Sequence, residues 1–408
     1  MLLIVATLII VVLVLILIAN NMDWLHHLPG LAANDGIPQL SGINPITQQI
    51  HEQIISIIIP ARNEARNIGR CLDGVLAQQT ALNYEVIVVD DGSTDDTPKI
   101  LADYALRFPH RLRVLHGRPL PNGWVGKCNA CQHGAESARG DWLLFLDADT
   151  VAEPNLLSSM MEMATHDQLD ALSVLPFNEL VSFPERLILP VFWCFVFTVF
   201  PGLRGYAPEI KTEHAMAVGQ CFMFKARVYR GLGGHSAVAD KVLEDVEFAH
   251  VLRASGYRLG MYTGFDQISV RMYHNFDEIA QGLMKHARSG LRLSGWRGYW
   301  GIFSTIAISI LPLVLLLVRL LQWQLAEFDP VFGIGVLSAL VCYIASIQFW
   351  AQLYAKLFAR PSWYALLAPL GMVAYMSIAL LGILRVIFGQ GVSWKGRTYQ
   401  DRRNVNIP

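Results

Sequence analysis

Charge is what this 408-residue chain has least of. Asp, Glu, Lys and Arg make up only 16% of it, against about 25% in ordinary soluble domains. The formal net charge is −1, so global electrostatics offer no basis for binding nucleic acid, and none is expected as a partner. Cysteine is sparse and scattered: Cys71, Cys128, Cys131, Cys194, Cys221 and Cys342 form no disulfide framework. Cys128-x-x-Cys131 has no second pair to complete a metal site, and small packing residues on a helix is the preferred reading. No G-x-G-x-x-G follows the first apolar strand, so a dinucleotide-binding Rossmann domain is unsupported. Gly126-Lys127 does not complete the G-x-x-x-x-G-K-[ST] spacing of a P-loop.

The charge deficit is uneven. Residues 51–290 have an ordinary soluble mix, and both flanks are apolar. Residues 1–19 carry a single polar side chain, Thr7, and fifteen Leu, Ile or Val. At central values that composition is worth roughly −5 to −9 kcal/mol of insertion free energy. It has no basic n-region and no small-x-small cleavage site, so an uncleaved transmembrane anchor over 1–19 is expected. Residues 20–53, rich in turn formers, read as a linker. Three further membrane segments are expected at about 300–321, 331–350 and 364–388, within 300–388, followed by a basic tail over 389–408. Trp296, Trp300, Trp323, Trp350 and Trp363 lie near their ends, as interfacial aromatics do.

Between the flanks, apolar runs alternate with helical spacing. Ile54–Ile59 stops at Pro60-Ala61-Arg62-Asn63-Glu64, a helix pattern spans 64–78, and Glu85–Val89 runs into Asp90-Asp91-Gly92-Ser93-Thr94. Ser93 and Thr94 are candidate caps for a helix over about 95–106. Leu112–Leu115 is a third strand. This β-α-β-α-β order predicts a parallel sheet with its site at the strands' carboxyl ends. Gly126-Lys127 opens a helix over about 127–138, which suits either an anion at its N-terminus or a solvated lysine on a loop. Leu143–Leu146 then ends in Asp147-Ala148-Asp149. Two hard oxygen donors at that spacing suit Mg²⁺ or Mn²⁺ shared with a phosphate, although a solvated turn reads the same way locally.

Taken together, P-A-R-N-E, V-D-D-G-S-T-D, G-W-V-G-K and D-A-D resemble the family 2 glycosyltransferases, over about residues 54–275. The resemblance implies a GT-A fold: a Rossmann-like α/β catalytic domain with a mostly parallel sheet, here flanked by transmembrane helices. It implies a nucleotide-sugar donor bound by Pro60, Arg62, Glu64, Asp90 and Asp91, with Lys127 near the diphosphate. Asp147 would hold the ribose or sugar end and share the metal with Asp149. Asp245 of Glu244-Asp245, in the first turn of a helix over about 243–254, would be the general base of an inverting transfer. Gln220 and Glu244 would lie on the acceptor side. His235, after Gly233-Gly234, reads as a histidine on a flexible turn rather than an independent base.

The apolar stretch within 186–203, broken by Pro190 and Pro201, is too short to span comfortably and reads as an interfacial insert or a core helix. Lys285, His286, Arg288, Arg292 and Arg297, within 276–299, alternate with apolar residues, as in a basic amphipathic segment on an anionic bilayer or a solvated helix face. The Q-x-x-R-W of processive synthases is absent: Gln281 is followed by Gly-Leu-Met-Lys, which favours transfer of a single sugar. The P-L-P-N-G-W-V-G-K and P-E-R-L-I-L-P stretches with the membrane flanks resemble the hopanoid-associated and carotenoid glycosyltransferases. That branch implies a membrane isoprenoid or other lipid acceptor, with the carotenoid side slightly favoured, and a multi-pass protein of the cell (inner) membrane whose catalytic domain is cytoplasmic. The alternatives are a polyprenyl-phosphate sugar transferase and a degenerate, non-enzymatic membrane scaffold. Lys395, Arg397, Arg402 and Arg403 favour a cytoplasmic tail, whereas an anchor plus three full spans would put it outside. Arg385 and Pro369 suggest that the last segment does not span simply.

Overall fold

The computed structural model describes residues 2–26, 30–31, 53–200, 205–209, 211–388, 392–394 and 397–399. Most of the expected linker and tail lies outside them. The chain forms two compact units: one comprises residues 28–179 and 202–272, the other residues 1–27, 180–201 and 273–408.

The N-terminal apolar run forms helix α1 (Leu2–His26) of the second unit. The first unit begins with strand β1 (Ile54–Ala61), then α2 (Ile68–Leu76), β2 (Asn83–Asp90), α3 (Thr97–Arg107), β3 (Leu112–His116), α4 (Gly126–Ser137) and β4 (Trp142–Leu146). After β5 (Thr150–Ala152), α5 (Leu156–His166), β6 (Ala171–Leu175) and β7 (Phe177–Asn178), the chain leaves for α6 (Phe183–Val199) of the second unit. It returns as β8 (Cys221–Lys225), α7 (Ala226–Gly231), α8 (Glu244–Ala254), β9 (Leu259–Thr263) and β10 (Ile268–Val270). The main sheet has the order β3-β2-β1-β4-β8-β6-β9, with only β8 antiparallel to its neighbours. It is the Rossmann-like, mostly parallel α/β class that was expected. A smaller sheet has the order β5-β10-β7.

The strands read as continuous apolar runs because both faces of the sheet are covered. Ile55, Ile57 and Ile59 of β1 pack into one core with Val86, Val88 and Leu144. Ile58, Ile87, Val89, Leu143 and Phe145 pack into the other. The one polar residue inside β1, Ser56, donates to Glu85 Oε1 at 2.7 Å and accepts from the Gly140 amide at 2.8 Å. A Cβ on Gly140 would lie 2.6 Å from the Ser56 nitrogen, so β4 can begin beside β1 only with glycine there. Helix α4 lies on the second core through small residues, and a Cβ on Gly134 would come within 2.5 Å of Ile58. Cys128 and Cys131 are buried packing residues of this helix, as read from the sequence. The expected cap at Ser93 or Thr94 does not form, because α3 starts later, after Asp96. The Ser93 hydroxyl instead accepts from the Asn63 amide at 3.0 Å.

The second unit is helical. Besides α1 and α6 it holds α9 (Phe276–Ser294), α10 (Trp296–Ser309), α11 (Leu311–Leu325), α12 (Pro330–Phe358) and α13 (Ala368–Ile387). Among the described residues three helical segments, Val5–Asp23, Pro330–Phe358 and Ser362–Arg385, are long and apolar enough to cross a membrane. The count rises to four if α10 and α11, bent by 43° at their junction, make one span. Helix α6 has 17 residues and packs with these helices, closely enough that a Cβ on Gly371 would lie 2.3 Å from the Leu187 carbonyl. Trp296 is 74% exposed and Trp363 54%, but Trp350 is 1% exposed within α12. Trp350 is therefore a core residue of this unit, not a member of an aromatic belt. Pro369 falls in the first turn of α13 and Arg385 in its last turn, where a cation suits the carbonyl end. Neither interrupts the helix.

Candidate active site

The residues singled out from the sequence converge on one edge of the main sheet. Strand β1 delivers Pro60 and, just beyond, Arg62 and Glu64; β2 delivers Asp90 and Asp91; β4 delivers Asp147 and Asp149. The loops there are tied to one another. Asn63 takes a left-handed φ of 53°, and its Oδ1 accepts from the Thr94 amide at 2.7 Å. The Glu64 amide donates to Thr97 Oγ1 at 2.8 Å. The guanidinium of Arg62 donates to the carbonyls of Asp91 and Gly92. Asp90 Oδ1 accepts from the Ser93 amide at 3.0 Å, so that carboxylate shapes its own turn. Gly117, after β3, presses against Asp91, whose Cα would be 2.9 Å from a Cβ there.

Asp147 and Asp149 flank a tight turn in which the Asp147 carbonyl accepts from the amide and hydroxyl of Thr150. Burial pushes the Cys71 thiol up against a Thr150 hydrogen bond, and the carboxylates of Asp149, Glu64 and Asp147 push it the same way. Lys127, at the start of α4, reaches across the sheet edge. Its Nζ lies 2.7 Å from Asp147 Oδ1 and 2.9 Å from Glu244 Oε1. Burial opposes its charge, but Asp147 and Glu244 outweigh this and hold the ammonium well above its ordinary range.

Glu244 and Asp245 start α8, as expected, beside the loop that enters β8. Asp245 Oδ2 accepts from the Gly219 amide at 2.7 Å and its Oδ1 from the Val246 amide at 2.9 Å. Burial and the Glu244 charge raise the Asp245 carboxyl to about 7, against the pull of Lys127 and the two amides. Two adjacent acids titrate as a pair, and the raised affinity belongs to that pair. Gln220 is half-buried, and its carbonyl accepts from the Asp147 amide at 3.1 Å. Gly219 was not singled out from the sequence as a site residue. A Cβ on it would lie 2.9 Å from Lys127 Nζ, 3.3 Å from Glu244 and 3.4 Å from Asp245.

His235 corrects its expectation. It is 5% exposed, in a one-turn 3₁₀ helix (Gly234–Val238), rather than on a flexible turn. It lines a small chamber with Lys127, Asp147, Gly219, Glu244 and Asp245, walled by Phe145, Phe224 and Phe248.

Among the described residues no group of three or more His, Cys, Asp or Glu is arranged to hold a metal. The carboxylates at the end of β4 are two hard donors, one of them already shared with Lys127. They fit a cation that takes its remaining ligands from a phosphate and water, and do not fit a structural, all-protein site.

The acids, the lysine at a helix N-terminus and the separate acidic pair lie at the carboxyl edge of the sheet, where open α/β sheets bind ligands. Residues 56–233 match the sequence model of glycosyl transferase family 2. It is 26% identical over 252 residues to the 4,4'-diaponeurosporenoate glycosyltransferase of Staphylococcus aureus, a match covering 60% of this chain and 63% of the relative. The match thus leaves more than a third of the curated relative's length unaccounted for. Among solved structures, a mannosyltransferase from Pyrobaculum calidifontis in complex with GDP-Man and Mn2+ aligns with 19% identity and a TM-score of 0.46, over 83% of this chain and 97% of that one. Residues 1–349 of TarS from S. aureus align with 18% identity and a TM-score of 0.38, over 83% and 92%. Both scores are too low to support a residue-by-residue comparison.

Proposed function

We propose that this chain is an inverting glycosyltransferase that moves one sugar from a nucleotide-sugar donor to a hydroxyl or carboxyl of a membrane isoprenoid, a carotenoid before a hopanoid. The observation that carries the reading is Lys127, a single cation that joins Asp147 on the donor strand to Glu244 on the acidic pair. In this reading Asp91, with Pro60, Arg62, Glu64 and Asp90 around it, holds the nucleoside, and Lys127 meets the diphosphate. Asp147 contacts the sugar or ribose, and Asp149, helped by Asp147, would hold Mg²⁺ or Mn²⁺. The chemistry that cation supplies is neutralisation of charge on the leaving diphosphate. Asp245 takes the acceptor proton as the acceptor oxygen forms its bond to the anomeric carbon. The bond from that carbon to the diphosphate breaks, and the nucleoside diphosphate leaves from the opposite face, which inverts the centre. Gln220 and Glu244 border the acceptor. The lipid partner is supported by the apolar helices and by the name of the S. aureus relative. Nucleotide sugars are cytosolic, so the sheet unit belongs on the cytoplasmic side of a multi-pass protein of the cell (inner) membrane.

The relative's substrate name denotes a carboxylate, which makes a carboxyl acceptor a specific second reading. The raised Asp245 separates the two. A hydroxyl acceptor needs the ionised base, so the rate should climb about tenfold per pH unit below about 7 and level off above it. A carboxyl acceptor arrives already ionised and would show no such climb. The test is nucleotide-sugar-dependent labelling of lipid extracts across pH 5–9, with Asp149→Ala and Asp245→Ala alongside. Phosphate in the labelled product would point to a polyprenyl-phosphate acceptor instead. Normal labelling by both variants would overturn the site assignment, and absence of any metal-dependent nucleotide-sugar binding by calorimetry would favour a scaffold.

A further inference from the structure

The buried His235 is not used by this mechanism, and its surroundings specify where its proton sits. The Tyr229 Oη lies 2.8 Å from His235 Nδ1, and the His235 backbone amide donates to the same oxygen at 3.1 Å. The phenol has one proton. Its other neighbour, Gln132 Oε1, is at 3.3 Å, so Nδ1 is the shorter and better acceptor. A ring that accepts at Nδ1 carries its hydrogen on Nε2. Burial, with help from Lys127 and against Glu244, pushes the imidazolium down to about 3. The ring cannot turn freely, because Phe145 meets it edge-on at 4.7 Å and Phe248 at 5.7 Å. With Nδ1 committed to Tyr229, Nε2 is the nitrogen left for the chamber that His235 shares with Glu244 and Asp245. The chamber has room for about one water (≈ 10 Å³).

We propose that His235 is a positioning residue, locked by Tyr229 as the Nε2–H tautomer, whose donor serves the Glu244–Asp245 pair through the chamber they share. This rests on the glycosyltransferase reading. Gly219 and Val246 already supply backbone donors to Asp245, and Lys127 supplies one to Glu244. His235 adds a fixed donor without a positive charge, so it orients the acids without neutralising them.

Two measurements on the full-length protein in detergent test it. The first needs no turnover: ¹⁵N spectra of histidine-labelled protein, with the His235→Gln difference giving the assignment. The expected signal is a neutral Nε2–H ring from pH 5 to 9. An Nδ1–H ring, or an imidazolium in that range, overturns the proposal. In the second, His235→Leu should lower kcat about tenfold with the nucleotide-sugar KM unchanged, and His235→Gln, which keeps a neutral donor, should recover most of it. Equal losses in Leu and Gln, or a loss confined to KM, overturn it. Should the wild type transfer no sugar to any lipid, the function reading fails while the tautomer measurement still decides the lock.

Discussion

The two units treat buried polar groups in opposite ways. In the helical unit several are met one at a time by a neighbour. Arg319 donates to Gln322 at 2.7 Å and to Thr7 of α1; Asn21 takes the Thr198 hydroxyl at 2.6 Å; Ser346 donates to the Ile308 carbonyl at 2.6 Å. Around them Leu317, Leu321, Leu337 and Val341 are exposed, a surface suited to hydrocarbon rather than water. In the sheet unit polar groups are gathered instead of dispersed. Five carboxylates (Glu64, Asp147, Asp149, Glu244 and Asp245) and one lysine crowd the edge where β1 and β4 end, and one acid is lifted to about 7. A fold that isolates polar groups gains stability from each pair. A fold that concentrates like charges gives up stability for reactivity.

That contrast can be broken at graded cost. The largest effect should come from Asp245→Asn, which can keep only one of the amide contacts of Gly219 and Val246 and removes the proposed base. Transfer to a hydroxyl should fall by about 10²–10⁴-fold, with nucleotide-sugar binding by calorimetry unchanged. Next is Gly140→Ala in the framework under the site. Its Cβ would meet the Ser56 backbone, and denaturant titration should show a loss of about 1–3 kcal/mol. Gly219→Ala should be milder for the fold and specific for the site, because its nearest neighbour is the flexible end of Lys127. We expect kcat about tenfold lower with the melting temperature nearly unchanged. The smallest effect belongs to the helical unit, where Thr7→Val removes one partner of Arg319 and should cost about 0.6 kcal/mol. A Thr7→Val loss larger than that of Gly140→Ala would show that the polar pairs of the helical unit are the more costly to break.

Much of this was legible in the sequence, for a local reason. Strands buried on both faces are uninterrupted apolar runs, and their ends are marked by the first polar residues, so β1, β2 and β4 could be placed together with Arg62, Asp91 and Asp147. The apolar flanks declared themselves by length. What could not be read depends on contacts across the fold. Lys127 and Glu244 are 117 positions apart (244 − 127), and nothing near either one encodes their 2.9 Å pairing. Gly233-Gly234-His235 has the composition of a flexible turn, yet Tyr229 and two phenylalanines bury it. Trp350 sits near the end of an apolar run, but the helix continues to Phe358 and carries it into the packed interior. Ser93 had the right chemistry for a helix cap and was recruited by Asn63 instead.

The excursion of the chain between residues 180 and 201 bears on how the protein is made. When a ribosome has emitted β7, the main sheet still lacks β8, which belongs between β4 and β6, and β9, which closes its edge. Both arrive only after α6 has been synthesised. During translation the half-built sheet therefore presents β4 and β6 with open hydrogen-bonding edges while a hydrophobic helix of the other unit emerges. No continuous excerpt of the gene encodes the complete sheet without that helix. A soluble catalytic fragment would require replacing residues 180–201 with a short polar bridge from Glu179 to the segment before β8.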